Sequence, residues 1–386
     1  MKICSLFSGI GGLEFGFHAE GFQTIYFNEL DPFAQRVLKT RYEGVPVETD
    51  VSKARSIPDC DVLTAGFPCQ DLSLAGPKSG LVGARSGLVN EIFRLLEAKP
   101  KTARPPYLVF ENVAYMVRLA GGSALTHITD ELERLGYSWA YRVLDARAFG
   151  TPQRRHRIII IATLDQSAAG ILFPADYGQL AVTDGIDDKE IDIAKWYGFY
   201  WTEGRRGLGW AENSVPPIKG GSSIGIPSPP AIWQPEAAHF GTISLSDAER
   251  LQGFPSGWTD VFEGDKQGEK SRWKLIGNAV CTPMSNWIAR RIKAHGEDIA
   301  CNFYDMQRKR SWPMAGFGRE GKRFQVDASM YPEKCEFIPL KAFLKDPLKP
   351  LSHRAISGYY SRVVDCSCRP PARFVSDIRK YIESLN

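Results

Sequence analysis

One cysteine of the chain lies where a nucleophile could be both held and reached. Cys69 stands in the segment Gly66–Ser73, after the apolar run Asp61–Ala65 and before a stretch that carries four glycines. The run predicts a strand, which places the cysteine at a strand end, at the start of a loop. A lone cysteine more often belongs to a core. The preceding proline and the polar, glycine-rich loop argue against burial, so Cys69 alone leaves both interpretations open.

A glutamate ends another predicted strand. Glu111 is the last residue of the apolar run Tyr107–Glu111. In a doubly wound sheet the carboxyl ends of the parallel strands open on one side, which would bring Glu111 to Cys69. A nucleophile and a carboxyl group that face each other suit a covalent mechanism with acid assistance. The alternative for Glu111 is a surface loop acid.

Two arginines precede a third predicted strand. Arg155 and Arg157 lead into the apolar run Ile158–Ile161. Because side chains alternate along a strand, both arginines are expected on one side. Two guanidinium groups there would suit a carbonyl oxygen or phosphates. Taken alone, the pattern favours a solvated, basic strand start.

Three successive strand ends carry groups that suit a nucleoside. The glycine turn Phe7–Leu13 follows the first predicted strand, where backbone could approach a ligand closely. Glu29 follows the second strand and could accept hydrogen bonds from ribose hydroxyls, whereas Asp31 before a proline is equally good as a helix cap. Asp50 could accept an adenine amino group, and Val51 could pack on the ring. Together these residues predict a nucleoside site.

Strand-like and helix-like segments alternate along the first 165 residues and predict an α/β fold with a parallel sheet and helices on both faces. The predicted strands are Lys2–Phe7, Thr24–Asn28, Asp61–Ala65, Tyr107–Glu111 and Arg157–Thr163. The predicted helices are Gly9–Phe17, Pro32–Tyr42, Leu88–Leu96 and Ala124–Leu135, followed by Ser246–Gln252 and Thr282–Ala294 after a long interruption.

The composition is that of an ordinary globular protein, with 43% hydrophobic and 24% charged residues among 386. No apolar run could span a bilayer, and the start is too short for a signal peptide, so we expect a cytoplasmic protein. Eight irregularly spaced cysteines predict reduced thiols. Cys366 and Cys368 lack a second pair at a zinc-type spacing, so we expect no metal site.

The chain is predicted to form three parts. Residues 1–164 plus 272–297 would be the catalytic and cofactor-binding domain, 165–271 a smaller loop-rich domain rich in Gly, Pro, Ser and Trp, and 298–386 a C-terminal extension. The net charge is +4, and the extension holds 16 Lys and Arg against 10 Asp and Glu. The extension could therefore contact phosphates, bind a partner protein or cap the catalytic domain.

Six blocks in a fixed order resemble the DNA (cytosine-5)-methyltransferase family, as found in bacterial restriction–modification systems. The resemblance covers about residues 1–296. The blocks are Phe7–Gly12, Gly66–Gln70, Glu111–Val113, Gln153–Arg157, Arg250–Pro255 and Gly277–Val280. The resemblance implies a Rossmann-like catalytic domain that uses S-adenosylmethionine, with residues 165–271 as the target-recognition domain.

The family mechanism implies a role for four side chains. Cys69 would add to C6 of a cytosine that has been flipped out of the duplex, and Glu111 would hydrogen-bond N3 and the exocyclic amine. Arg157, with Arg155, would bind O2 or position the loop. The loop Ser73–Gly87 would close over the base.

The resemblance also assigns binding residues. For the cofactor these are Phe7, Gly9, Ile10, Gly11, Gly12, Glu29, Leu30, Asp50, Val51, Pro68, Leu88, Asn278 and Val280. For DNA they are Ser73, Arg85, Arg205 and Arg206, the last two within the loop Thr202–Gly207. Leu30 departs from the family pattern, since many members carry an aromatic residue there that stacks on adenine.

The implied partner is double-stranded DNA, read by a monomer that is nucleoid-associated through it. A cognate restriction endonuclease would act on the same site without forming a stable complex. Two alternatives stay open: an RNA cytosine-5 methyltransferase, from a branch of the same family, and a silent DNA-binding homologue. The long region 165–243 favours DNA, and intact Cys69, Glu111 and Arg157 disfavour the silent homologue. A dinucleotide dehydrogenase would explain only the glycine turn.

Overall fold

The computed structural model describes residues 1–68, 87–165, 167–178, 191–203, 207–221, 227–294, 296, 299–306, 311–367 and 369–386. The strands of this part of the chain are β1 (Lys2–Leu6), β2 (Gln23–Asn28), β3 (Val47–Glu48), β4 (Val62–Ala65), β5 (Tyr107–Val113), β6 (Ser138–Asp145), β7 (His156–Thr163), β8 (Tyr197–Phe199), β9 (Ala211–Glu212), β10 (Ala231–Gln234), β11 (His239–Thr242), β12 (Phe303–Asp305), β13 (Ala315–Arg319), β14 (Lys322–Val326) and β15 (Lys349–Pro350).

The α-helices of the same residues are α1 (Gly12–His18), α2 (Pro32–Arg41), α3 (Val89–Glu97), α4 (Ser123–Arg134), α5 (Ala168–Leu172), α6 (Leu245–Leu251), α7 (Lys266–Asn278), α8 (Thr282–Ala294), α9 (Leu340–Phe343), α10 (His353–Val363) and α11 (Ala372–Ser384). No helix within the described ranges is long and apolar enough to cross a membrane.

The chain divides into two compact units. The first unit comprises residues 1–149, 156–179 and 280–334, and the second comprises 150–155, 180–279 and 335–386. This division differs from the predicted three parts, because residues 298–386 form no unit of their own. Residues 298–334 belong to the first unit, and residues 335–386 belong to the second.

A large mixed sheet forms the centre of the first unit. Its strand order among the described residues is β12-β14-β13-β6-β7-β5-β4-β1-β2-β3. Strands β1 to β5 pair in parallel, whereas β7, β6, β13, β14 and β12 are joined by antiparallel pairing. The predicted α/β class is confirmed, and the parallel strands place the ends of β1, β2, β4 and β5 along one edge.

The last predicted strand runs opposite to the expected direction. We predicted Arg157–Thr163 as part of a parallel sheet, but β7 is antiparallel to both β5 and β6. The unpredicted strand β6 is the reason: it is joined to β7 by residues 146–155, and a parallel crossover needs a helix-sized connection that packs on the sheet. The antiparallel direction places the start of β7 beside the end of β5.

Helix α8 packs on α1. Ser285 donates a hydrogen bond of 3.1 Å to the Gly12 carbonyl, and Asn286 donates one of 3.2 Å to the Gly16 carbonyl. A Cβ at Gly16 would lie 1.9 Å from the Ser285 hydroxyl, so only glycine permits this approach. The contact fixes the helix that follows the first glycine turn.

A five-stranded sheet with the order β15-β11-β10-β8-β9 lies in the second unit. Its apolar side chains share one core with the C-terminal helices α10 and α11. The core contains Tyr197, Phe199, Leu208, Trp210, Ala231, Trp233, Phe240, Leu351, Ile356, Tyr359, Val363, Cys366, Phe374, Ile378 and Tyr381. Residues 351–386 thus complete the core of the second unit, a structural role that differs from the cap over the catalytic domain considered for the C-terminal extension.

Candidate active site

The turn after β1 has the backbone conformation that its glycines suggested. Gly9 has φ +56° and Gly11 has φ +79°, in the left-handed region that glycine adopts at little cost. The Tyr42 hydroxyl donates a 2.9 Å hydrogen bond to the Gly11 carbonyl, and a Cβ at Gly11 would lie 2.6 Å from the Tyr42 ring. Phe7 also has a positive φ, +54°, which is a strained conformation for a bulky residue.

The Glu29 carboxylate joins the turns that follow β1 and β2. One oxygen accepts a 2.7 Å hydrogen bond from the Gly9 amide, and the other accepts a 2.8 Å hydrogen bond from the Asp31 amide. Burial raises the pKa of Glu29, although these amide hydrogen bonds oppose the shift. Each oxygen can accept a further hydrogen bond, so the carboxylate could also receive ribose hydroxyls. Asp31 instead caps α2, accepting from the Phe33 and Ala34 amides.

The third strand end has a partly exposed acid beside a buried valine. Hydrogen bonds from the amide and hydroxyl of Ser52 lower the pKa of Asp50. Val51 belongs to the core of the first unit. Leu30, in the position expected to pack on a base, leaves 69% of its surface exposed. These residues, the glycine turn and Glu29 all lie at the carboxyl edge of the parallel strands.

An ion pair joins the end of β5 to the start of β7. Arg157 Nε lies 2.8 Å from Glu111 Oε1. The strand register pairs Val113 with Arg157, which makes Glu111 the diagonal neighbour of Arg157 on the same face. Glu111 is 8% exposed. Buried charges are held in such pairs because removing one partner leaves the other uncompensated.

The other Glu111 oxygen faces the segment that leads to Cys69. A Cβ built on Gly66 would lie 3.8 Å from Glu111 Oε2 and 3.6 Å from the Phe7 carbonyl oxygen. The next residue is tied to β5 as well, since Asn112 Nδ2 donates a 2.8 Å hydrogen bond to the Phe67 carbonyl. Residues 66–67 therefore lie between the glycine turn and the Glu111–Arg157 pair.

Several predicted site residues lie outside the described residues. They are Cys69, Ser73, Arg85, Arg205 and Arg206. Their neighbours in the first unit are placed: Pro68 is exposed, and Leu88 packs partly buried against the core at the start of α3. Ile10 and Gly12 are buried within the turn and α1.

Arg155 has a different environment from Arg157. Strand β7 begins at His156, so Arg155 lies before it and the alternation argument does not apply. Arg155 is 1% exposed in the second unit, where Nη2 donates to the carbonyls of Gly277 at 3.0 Å and Ala279 at 2.7 Å. Its guanidinium thus holds the backbone around Asn278, the exposed last residue of α7. Val280, in the first unit, is buried.

The Gln153–Arg157 and Arg250–Pro255 blocks each contribute a buried glutamine that hydrogen-bonds backbone of the second unit. Gln153 donates a 2.9 Å hydrogen bond to the Leu251 carbonyl, and Gln252 donates one of 2.8 Å to the Ile276 carbonyl. Both glutamines are fully buried. Their placement indicates that these blocks hold α6 and α7 together.

A buried carboxylate lies beside the start of β7. Asp145 accepts a 2.6 Å hydrogen bond from Arg147 Nη2 and lies 3.0 Å from His156 Nε2. Burial alone would raise the pKa of Asp145, but hydrogen bonds from His156 and Arg147 lower it to about 2. This cluster fixes the backbone from which Arg157 extends.

A second buried acid lies beneath the glycine turn. Glu14, on α1, is 1% exposed and accepts a 2.6 Å hydrogen bond from Thr64 on β4. Burial raises the pKa of Glu14, and hydrogen bonds from Thr64 and Ser5 offset part of that rise. The interaction links the glycine turn to the strand that leads to Cys69. An acid amid the apolar residues of a predicted helix is the sequence signal that could have identified it.

Comparisons with known proteins decide the family. The model of the C-5 cytosine-specific DNA methylase family matches residues 1–181. Type II methyltransferase M2.BsuMI of Bacillus subtilis (strain 168) is 46% identical over 371 residues, which cover 95% of this chain and 94% of that protein. The chain belongs to the C-5 cytosine-specific DNA methylase family. Type II methyltransferase M.NlaX of Neisseria lactamica is 32% identical and covers 76% of this chain and 96% of its own length.

Solved structures confirm the methyltransferase fold. The S. pombe Dnmt2 methyltransferase aligns with a TM-score of 0.53 and 17% identity, covering 76% of this chain and 99% of its own. The Entamoeba histolytica methyltransferase EhMeth aligns with a TM-score of 0.52 and 14% identity, covering 76% and 98%. The family model and the M2.BsuMI relative confirm the predicted enzyme class, a DNA (cytosine-5)-methyltransferase, and both relatives are type II methyltransferases.

Proposed function

We propose that this methyltransferase transfers a methyl group from S-adenosylmethionine to C5 of a flipped-out cytosine in double-stranded DNA, through a covalent bond from Cys69 to C6. The observation that carries the proposal is the position of Gly66 and Phe67. They lie between the cofactor-type turn and the Glu111–Arg157 pair, and Asn112 ties them to the strand that bears Glu111.

The first unit offers groups that fit the cofactor. Gly9 leaves open space where a side chain would stand, Gly11 holds the turn against Tyr42, and Glu29 retains acceptor capacity for ribose hydroxyls. Exposed Leu30 would cover the adenine, with Asp50 and Val51 at its edge. Family resemblance assigns cofactor binding also to Phe7, Ile10, Gly12, Pro68, Leu88 and Val280 of the first unit and to Asn278 of the second. When bound, S-adenosylmethionine supplies an electrophilic methyl group.

Cytosine C5 is too poor a nucleophile to accept that methyl group unaided. Addition of the Cys69 thiolate to C6 places electron density on C5. Glu111 would stabilise the charge that develops at N3 and the exocyclic amine, and Arg157 would bind O2. The ion pair presents both side chains from one face of the sheet, so they can contact one edge of the same ring.

The reaction ends when C5 loses its proton and the bond between Cys69 and C6 breaks. We assign no side chain to this deprotonation, for which water is a sufficient base. The target atoms are inaccessible inside a duplex, so the base must leave the stack. Arg155 acts in this account through the backbone of Gly277 and Ala279, as a positioning residue.

The second unit would read the DNA sequence, with Arg205 and Arg206 as its proposed contacts, and Ser73 and Arg85 would contact DNA from the loop Ser73–Gly87 that follows Cys69. The protein would act as a monomer in the cytoplasm, on nucleoid DNA. By analogy with its type II relatives, a cognate endonuclease would cut the same site when it is unmethylated, without forming a stable complex with the methyltransferase.

The test is methyl transfer from labelled S-adenosylmethionine to unmethylated genomic DNA, followed by bisulfite sequencing. A discrete motif that contains C5-methylcytosine is expected, and Cys69→Ala should abolish the label. Transfer to RNA in place of DNA would overturn the substrate assignment. Label on DNA without bisulfite-resistant cytosine would overturn the assigned position of methylation.

A further inference from the structure

The C-terminal helices form part of the core of the second unit. Phe374 of α11 lies 5.3 Å from the Phe199 ring and 5.2 Å from the Trp233 ring, measured between centroids. Tyr359 of α10 lies 5.1 Å from Phe199. Because Phe199 ends β8, these contacts place α10 against the residues that follow that strand. The sequence separates these partners by more than a hundred residues.

One arginine of α10 reaches the segment after β8. Arg362 Nε donates a 2.9 Å hydrogen bond to the Glu203 carbonyl, and Arg362 Nη2 donates a 2.9 Å hydrogen bond to the Trp201 carbonyl. A guanidinium is a rigid, planar fork, so donation from two of its nitrogens fixes both the distance and the direction of the acceptors. Lysine has no such fork.

Other residues hold the same segment, Trp201–Glu203, from different directions. Trp201 Nε1 donates a 3.0 Å hydrogen bond to the Pro229 carbonyl, and the Thr202 hydroxyl lies 2.5 Å from that of Ser228. The Glu203 carboxylate pairs with Lys219, whose Nζ lies 3.7 Å from the Tyr200 ring centroid. The segment is partly exposed, yet its backbone and its polar side chains are fixed.

We propose that Arg362 is a positioning residue for sequence recognition, which holds the Trp201–Glu203 segment as part of the surface that reads DNA. The inference rests on the proposed function. Base edges are read by hydrogen-bonding groups whose positions must be accurate, and such groups work best on a rigid support. The two carbonyl hydrogen bonds of Arg362 supply that support from a helix near the end of the chain.

The experiment compares Arg362→Ala and Arg362→Lys with Arg379→Ala. Arg379 is a matched control, since its exposed guanidinium pairs with the side chain of Tyr360 on α10 instead of with the backbone of Trp201–Glu203. Rates are measured on the site found by bisulfite sequencing and on sites with one changed base pair. We expect R362A to lower the ratio of the two kcat/KM values about ten-fold, the discrimination that one base-pair contact supplies. The ratio for R362K should be intermediate, and the ratio for R379A should match that of the wild type.

Binding of S-adenosylmethionine and the thermal midpoint separate positioning from simple unfolding. KM for S-adenosylmethionine should be unchanged in R362A and R362K. An unchanged specificity ratio in an active R362A enzyme, or an equal loss on all sites, would overturn the proposal. If R362A does not fold, the ratio for R362K decides in the same way. A wild-type protein that transfers no methyl group to DNA would instead refute the proposed function.

Discussion

Asn112 binds the backbone of the segment that leads to the nucleophile. Its Nδ2 donates a 2.8 Å hydrogen bond to the Phe67 carbonyl, while its Oδ1 accepts a 2.9 Å hydrogen bond from the Val113 amide. Both Asn112 and Phe67 are buried. Strand β5, which bears Glu111 one residue before Asn112, is therefore bonded to the chain at Phe67, two residues before Cys69 in the sequence.

Asn112→Ala should impair the chemical step more than binding. Without the hydrogen bond the cysteine segment can shift, and a displacement of about 1 Å costs about 100-fold in rate. We expect kcat to fall by about 10- to 100-fold, with KM for S-adenosylmethionine nearly unchanged. Single-turnover methyl transfer checks this. Asn90→Ala is the control, because Asn90 pairs with His127 and has no assigned role in the reaction. Equal losses in the two variants would contradict the role of Asn112.

The contributions of Glu111 and Arg157 to catalysis should be coupled. Arg157→Ala is expected to lower kcat about 100-fold or more, because this is the usual effect of removing one group that stabilises transition-state charge. Glu111→Gln should cause a similar loss. Because the two side chains form one ion pair, the double variant should lose little more than the worse single variant. A double-mutant cycle on kcat/KM measures the coupling, and additive losses would show that they act separately.

Gly11 and Gly9 should differ in their tolerance of a methyl group. A Cβ at Gly11 would lie 2.6 Å from the Tyr42 ring, whereas one at Gly9 meets nothing within 4 Å. Gly9→Ala should cost about 1 kcal/mol through its positive φ, and Gly11→Ala about 3 kcal/mol through strain and overpacking. Urea denaturation compares the two. Equal costs would mean that Tyr42 moves aside freely.

Glu14 should make stability depend on pH. Burial raises its pKa above the ordinary value of about 4.3. Its stabilising contribution is therefore complete below that ordinary value and declines as pH rises towards the raised one. Glu14→Gln removes this titration while keeping the shape of the side chain, so the variant should gain stability relative to wild type as pH rises. Thr64, Ser5 and Tyr42 face this carboxyl group.

Thermal midpoints of the wild type and E14Q across pH 5 to 9 provide the measurement. The surface exchange Glu43→Gln serves as the control, since Glu43 is exposed after α2. A difference between E14Q and wild type that stays constant over the range would show that Glu14 does not titrate there.

The order of elements in the first 135 residues could be predicted because apolar runs alternate there with glycine turns and helix caps. Asp31 before Pro32 caps α2 in the structure as its sequence context suggested. Strand β6 was not predicted, although Trp139, Tyr141 and Val143 show strand periodicity. Arg142 breaks the usual rule for a buried strand, since it is fully buried and donates to four acceptors.

The site was predictable as a set of strand ends, but its connections were not. Hydrogen bonds from Tyr42 to Gly11 and from Asn112 to Phe67 join residues 31 and 45 positions apart. No local sequence pattern predicts a hydrogen bond between residues so far apart. For the same reason the sequence could not reveal that Arg155 holds the backbone at Gly277 and Ala279, or that residues 351–386 complete the core of the second unit.

The most direct test of the account uses DNA that carries 5-fluorocytosine within the methylated motif. Fluorine cannot leave C5 as the proton does, so the bond between Cys69 and C6 should persist after methyl transfer. We predict a stable protein–DNA adduct that depends on S-adenosylmethionine and that peptide mass spectrometry locates at Cys69. It should be absent from Cys69→Ala and slow to form in Asn112→Ala. Undiminished methyl transfer by Cys69→Ala, or an adduct at another residue, would contradict the mechanism.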